Sequence, residues 1–164
     1  MNEKQLDKKF VDELIKDDEL GVAIRAHLDV EYWVNELLNI LITYPQYLKP
    51  IKLEYANKVH LLCSLGLNDE YKEPLIYMGT IRNKFAHNIN FSIDKSVVNN
   101  FYNSFSEDSK NISHKVFTET EFEGENRKYK SYREMGPKDQ FVFMSVSVRN
   151  MIKAAVYKAR DKNA

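Results

Sequence analysis

Residues 20–43, LGVAIRAHLDVEYWVNELLNILIT, decide the fold class. Two adjacent stripes run along them at helical spacing. One is Ala23, His27, Val30, Val34, Leu37 and Leu41; the other is Ile24, Leu28, Glu31, Asn35, Leu38 and Ile42. A helix apolar over so wide an arc is buried on more than one side, which places this segment at the centre of a helical bundle. Pro45 lies just past its end.

The flanking segments read the same way. Leu6, Phe10, Leu14 and Ile15 mark a first helix over residues 3–16. After Pro45 and Pro50, a third helix is expected over 51–65, with Tyr55, Ala56, Val59, Leu62 and Cys63 inward and Gly66 just past its end. A fourth starts near residue 71, with Pro74 in its first turn and a stripe of Leu75, Met78, Gly79, Arg82, Ala86 and Ile89. Asp94 is placed to cap a fifth, shorter helix through residue 105 that buries Val97, Val98, Phe101 and Tyr102. Residues 106–136 break the period: HKVFTETEFEGENRKYKSY alternates loosely around Glu123-Gly124-Glu125-Asn126, as a small β-hairpin or irregular arm would. Pro137 suits the first position of a last helix, whose stripe is Phe141, Met144, Val148, Met151, Ile152 and Ala155. The expected fold is all-α, an antiparallel bundle of about six helices, in a single domain over residues 1–164 with one polar insertion at about 106–136.

Composition narrows the function classes. The 164 residues carry 24 Lys+Arg and 24 Asp+Glu, a formal net charge of zero, which argues against a general nucleic-acid coat while leaving room for a local basic pocket. Apolar residues at 43% exclude a mainly disordered chain. The single cysteine, Cys63, forms no internal disulfide and fits a reducing compartment. The opening MNEKQLDKKFVDEL lacks the apolar stretch of a signal peptide, and no apolar run spans a bilayer. A cytoplasmic location without membrane attachment is the expectation.

Chemistry concentrates in Ile81-Arg82-Asn83-Lys84-Phe85-Ala86-His87-Asn88. Arg82 falls on the apolar stripe, where a guanidinium is costly unless it meets a carboxylate or phosphate. Asn83 and His87, four apart, share a face. Arg82 and His87 are five apart, roughly 140° around a helix and about 7.5 Å along it, so their convergence needs a long arginine or a helix that ends near Asn88. The competing account is a capping and salt-bridge cluster, with His87 favourable to the helix dipole. Glu31 and Asn35 interrupt the central helix's stripe, and a buried Glu31 needs a cation; Arg82 on the neighbouring helix is the expected partner. His27 is expected to be a satisfied core histidine. His114 has no carboxylate or histidine at metal-ligand spacing, so neither a metal nor any other cofactor is expected. Arg127, Lys128, Lys130 and Arg133, interleaved with Tyr129 and Tyr132, form a basic-aromatic patch of the kind that grips single-stranded RNA; a solvated loop is the alternative.

Arg82-Asn83-x-x-x-His87 near the end of a bundle helix resembles the signature of the HEPN superfamily (higher eukaryotes and prokaryotes nucleotide-binding domains). The resemblance implies a metal-independent ribonuclease of the toxin or antiviral-defence type, acting as a homodimer with paired motifs at its interface. It casts Arg82, Asn83 and His87 as catalytic; Glu31 and Asn35, from their place on the stripe, are then candidates to support them, with Glu31 orienting Arg82 or forming a purely structural buried ion pair. Over about residues 18–160, VEYWVNELLNILI, then LCSLGLNDEYKEPLIYMGTIRNKFAHN, then a polar insertion and a last helix, the chain also resembles the mannitol operon repressor family. That resemblance implies a non-catalytic regulator acting through a protein partner; an antitoxin or accessory half of a defence module is the third alternative.

Overall fold

The buried residues of α2 (Glu19–Leu41) are Val22, Ala23, Ala26, His27, Val30, Val34, Leu37 and Leu38, the wide arc that makes it the axis of the bundle. Asp18 caps it by accepting from the Gly21 N–H at 2.7 Å. This computed structural model describes residues 3–120 and 129–163. Around α2 stand α1 (Glu3–Lys16), α3 (Tyr55–Ser64), α4 (Lys72–His87), α5 (Lys95–Ser104), α6 (Glu107–Thr120) and α7 (Pro137–Asn163), with short 3-10 segments at Pro45–Ile51, Asp69–Tyr71 and Tyr132–Glu134. The fold is all-α, and the longest helix, α7, packs most extensively against α2. Leu14, Val30, Leu62, Leu75, Ile81, Phe101, Phe141 and Ile152 fill the shared core. Among the described residues, no helix is long and apolar enough to cross a membrane.

Two turns set how α3 and α4 meet α2. Gly66, at φ +98°, ends α3 in the left-handed region that glycine adopts without steric cost. There the Leu67 N–H donates to Leu62 O at 2.9 Å and the Gly66 N–H to Cys63 O at 3.1 Å. These paired bonds satisfy carbonyls that a helix end leaves open, and buried Leu67 seals the turn. Asp94 caps α5 through the Val97 N–H at 2.9 Å, as its position implies.

Where about six helices are expected, the described residues form seven α-helices, because the first half of the anticipated arm is helical. Ser106 accepts from the Ser109 N–H at 3.1 Å and opens α6. Among the described side chains of α6 the inward stripe is Ser109, Ser113 and Phe117, four residues apart, so two of these three buried positions carry hydroxyls and give no apolar period. The expected hairpin turn at Glu123–Asn126 lies outside the described residues, as do Arg127 and Lys128. In α3, Val59 and Leu62 are buried as expected, whereas Ala56 is exposed.

Away from the α3–α4 side, α7 buries two cations. Arg149 donates to Asp29 at 2.6 Å and pairs with Asp7 at 2.9 Å, while Lys153 contacts both oxygens of Asp7 at 2.8 Å. The Arg149 guanidinium also lies 4.8 Å from the Phe10 ring centroid. Burial alone would raise the Asp7 pKa, but Lys153 and Arg149 outweigh it and hold the carboxyl below its usual range. These ions are neutralised in place, so they tie α1, α2 and α7 together.

Candidate functional site

On α4, Leu75, Met78 and Ile81 point into the core, and Ile81 is fully buried. Arg82 follows it at about 100° around the helix, which carries its guanidinium out of the core and into solvent. Gly79, Asn83 and His87 stand at four-residue steps on the same side, so they form one face with Arg82 beside them. That face meets His27 and Glu31 of α2 and Tyr55 at the start of α3, and together they line a cleft of about 440 Å³. The size is in the range of small-molecule and nucleotide sites. The helix ends at His87, with Asn88 extended at φ −140°. Arg82 and His87 line this one cleft despite their angular separation.

The ion pair expected between Glu31 and Arg82 is absent. Lys58 of α3 donates to Glu31 Oε1 at 2.7 Å, and His27 Nδ1 lies 3.9 Å from Oε2. Arg82 instead donates to Asn83 Oδ1 at 3.0 Å and has no carboxylate in ion-pair reach among the described residues. The physical reason is the step from Ile81: an exposed Arg82 needs no buried counter-ion, and half-buried Glu31 takes the nearer lysine. Arg82 is therefore a cation with its charge unanswered, fixed by one neighbouring amide.

His27 is buried but not satisfied. It is only 4% exposed, its ring lies 4.4 Å from that of Tyr55, and its Nδ1 has no hydrogen-bond partner. Burial lowers its pKa below the ordinary histidine value; Glu31 opposes that shift, while the Arg82 and Lys58 charges add to it. Tyr55 donates to the Leu75 carbonyl at 3.0 Å, and burial beside Glu31 pushes its phenol well above the usual range, so it stays protonated. A Cβ built on Gly79 would stand 2.8 Å from Tyr55 Cδ1 and 3.8 Å from His27 Nε2, so the bare glycine lets α4 pack close against Tyr55, with His27 lining the cleft beside it. The signal for His27 was in the sequence: His27 and Glu31 are four apart on one helix, spacing that brings a carboxylate beside an imidazole.

Asn35 is not brought to this cleft. It lines a separate cavity of about 370 Å³ with Asn39, Lys49, Lys52 and Lys58, joined to the first through the Lys58–Glu31 pair. Lys130 and Arg133 are exposed near the start of α7 and line neither cavity. The neighbouring tyrosines are partly buried and engaged within the protein: Tyr132 stacks on Tyr102 with centroids 5.5 Å apart, and Tyr129 donates to Asp139. No group of three or more His, Cys, Asp or Glu among the described residues is placed to hold a metal ion.

The chain matches no family model, no curated protein and no solved structure. The functional reading therefore rests on the residues of the cleft.

Proposed function

We propose that the cleft binds a phosphodiester of RNA and cleaves it without a metal, in a HEPN-like manner suited to a toxin or antiviral effector. One observation carries the reading: among the described residues Arg82 has no carboxylate partner, and it shares a cleft with Asn83 and His87. A guanidinium so placed is free to take a phosphate through paired N–H donors and to stabilise the charge that develops on its oxygens. Asn83 holds that guanidinium in position. Histidine is the side chain most often used for proton transfer in catalysis, and His87 brings one to this cleft. In the chemistry of such enzymes the 2′-oxygen attacks phosphorus and the 5′-oxygen leaves, giving a 2′,3′-cyclic phosphate and a 5′-hydroxyl. The sequence motif supplies one histidine per chain, which is the case for a two-fold homodimer with paired motifs.

The test is cleavage of single-stranded RNA by the purified protein in the presence of EDTA. Wild type should cut, and His87→Ala should lose about 10² in rate or more while melting as wild type does. Arg82→Lys keeps the charge but not the fork and should be similarly impaired. An inactive wild type, or a fully active His87→Ala, sinks the nuclease reading and favours a repressor-like regulator acting through a protein partner.

A further inference from the structure

We infer that His27 is the second proton-transfer group of this site, so that one chain holds a complete acid–base pair. The inference rests on the ribonuclease reading and changes what that reading requires. A phosphate on Arg82 needs a base on one side for the 2′-hydroxyl and an acid on the other for the leaving 5′-oxygen. His27 and His87 line the same cleft from different helices. Along α4 the order is Gly79, Arg82, Asn83, His87. His27 Nε2 lies against Gly79, about 4.5 Å of helix rise before Arg82 and about 12 Å before His87. Side chains on a helix lean toward its N-terminus, which brings the His87 ring back toward Asn83. Arg82 leans the same way, so a phosphate on its guanidinium would stand at the level of α4 between Gly79 and Asn83, within the stretch that the two imidazoles bracket.

The roles follow from the surroundings. His27 is faced by Glu31 of its own helix, by Tyr55 and Lys58 of α3 and by Arg82 of α4, with Glu54 and His87 also lining the cleft. Burial keeps the ring neutral at pH 7, with an open lone pair to accept a proton. Glu31, 3.9 Å from Nδ1, is too far for a hydrogen bond but close enough to stabilise the imidazolium that forms when Nε2 takes up a proton. In the step so assigned, His27 Nε2 takes the 2′-hydroxyl proton as the 2′-oxygen forms its bond to phosphorus. The bond from phosphorus to the 5′-oxygen breaks, and protonated His87 gives its proton to that oxygen. Atoms and charge balance with no further reagent. A partner's histidine is then not needed for chemistry, whatever the assembly.

The experiment uses the full chain with two substrates, an RNA oligonucleotide and uridine 3′-(4-nitrophenyl phosphate), whose leaving group departs without an acid. On RNA, His27→Gln and His87→Ala should each lose about 10²-fold or more. On the nitrophenyl ester, His87→Ala should recover to within about tenfold of wild type and His27→Gln should not. His87→Ala on that ester should also keep a rate that rises with pH through a single ionisation below 6.5, a readout that does not depend on His27→Gln folding. The rate per chain should be constant on dilution. The pairing alone is overturned if wild type cleaves both substrates while His27→Gln does so equally, or if His87→Ala shows no such ionisation on the ester. If wild type cleaves neither substrate, the ribonuclease reading falls and the pairing with it.

Discussion

Lys58 donates to Glu31 at 2.7 Å, and this pair across α2 and α3 is what leaves the Arg82 charge unanswered. Had Glu31 taken Arg82, both groups would be spent on stability. As folded, the structural ion pair and the free cation sit side by side on different helices, and substitution can separate them.

Lys58→Ala should therefore destabilise more than Arg82→Ala. Glu31 is three-quarters buried, and removing its hydrogen-bonded cation should cost about 1.5–3 kcal/mol. Arg82 is exposed and, among the described residues, its one hydrogen bond is to Asn83, so its truncation should fall within about 0.5 kcal/mol of wild type. Urea unfolding of the two variants measures both; the reverse ranking would mean Glu31 relies on Arg82 in solution.

Stability should also report the buried His27. Its folded pKa lies below the ordinary value. Below about pH 6.5 the unfolded chain takes up a proton that the folded chain refuses, so stability falls as acid is added until the folded ring titrates too. His27→Gln removes this penalty. The stability difference between wild type and His27→Gln should be largest in wild type's favour at pH 7.5 and shrink toward pH 5. Parallel curves over that range would show that His27 keeps an ordinary pKa.

Arg149 should behave as a structural cation. Arg149→Ala leaves Asp29 without its partner and Asp7 with Lys153 alone, which predicts a loss of roughly 3 kcal/mol, the lower end for a broken buried pair because both carboxylates keep some water. Asp29 lies about 200° around α2 from Glu31, on another side of the helix from the cleft. RNA cleavage per folded molecule should be unchanged at a temperature where the variant is folded. A large drop in that rate would tie the α1–α2–α7 network to the site.

How far these features could be read in advance differs by residue. The bounds of α1, the core helix (expected over 20–43, found at Glu19–Leu41) and the Asp94 cap follow from apolar period and capping chemistry, which act over one or two turns. The first half of the expected arm did not read as a helix, because Ser109 and Ser113 fill buried positions that carry no hydrophobic signal. The Arg82, Asn83 and His87 cluster was legible as a motif, but the choice of partner for Glu31 was not. That choice depends on where α3 places Lys58, a tertiary fact that spacing along one helix does not encode. His27 shows the same limit: a histidine on an apolar stripe looks satisfied until the neighbouring helices show that nothing accepts from its Nδ1.

Gly79→Ala tests the tight wall behind that histidine. Alanine is a better helix former than glycine by about 1 kcal/mol, so an unconstrained site would gain stability. Here the new Cβ would stand 2.8 Å from Tyr55 Cδ1 and 3.0 Å from Cε1, closer than real contacts allow. Tyr55 cannot simply swing away, because its hydroxyl is tied to the Leu75 carbonyl at 3.0 Å and its other face meets His27. Overpacking of this kind costs about 1–3 kcal/mol, which offsets or exceeds the propensity gain and predicts a net loss of up to about 2 kcal/mol. The clash is with one ring, so shortening that ring should relieve it. Tyr55→Leu alone should destabilise by leaving space and removing the tether, yet in the Gly79→Ala background it should cost less, with a coupling of roughly 0.5–3 kcal/mol between the two sites. Thermal or urea unfolding of the four members of the cycle decides the matter. Additive effects would show that α4 yields to admit the methyl group, and that Gly79 is not what holds α4 close against Tyr55 and His27.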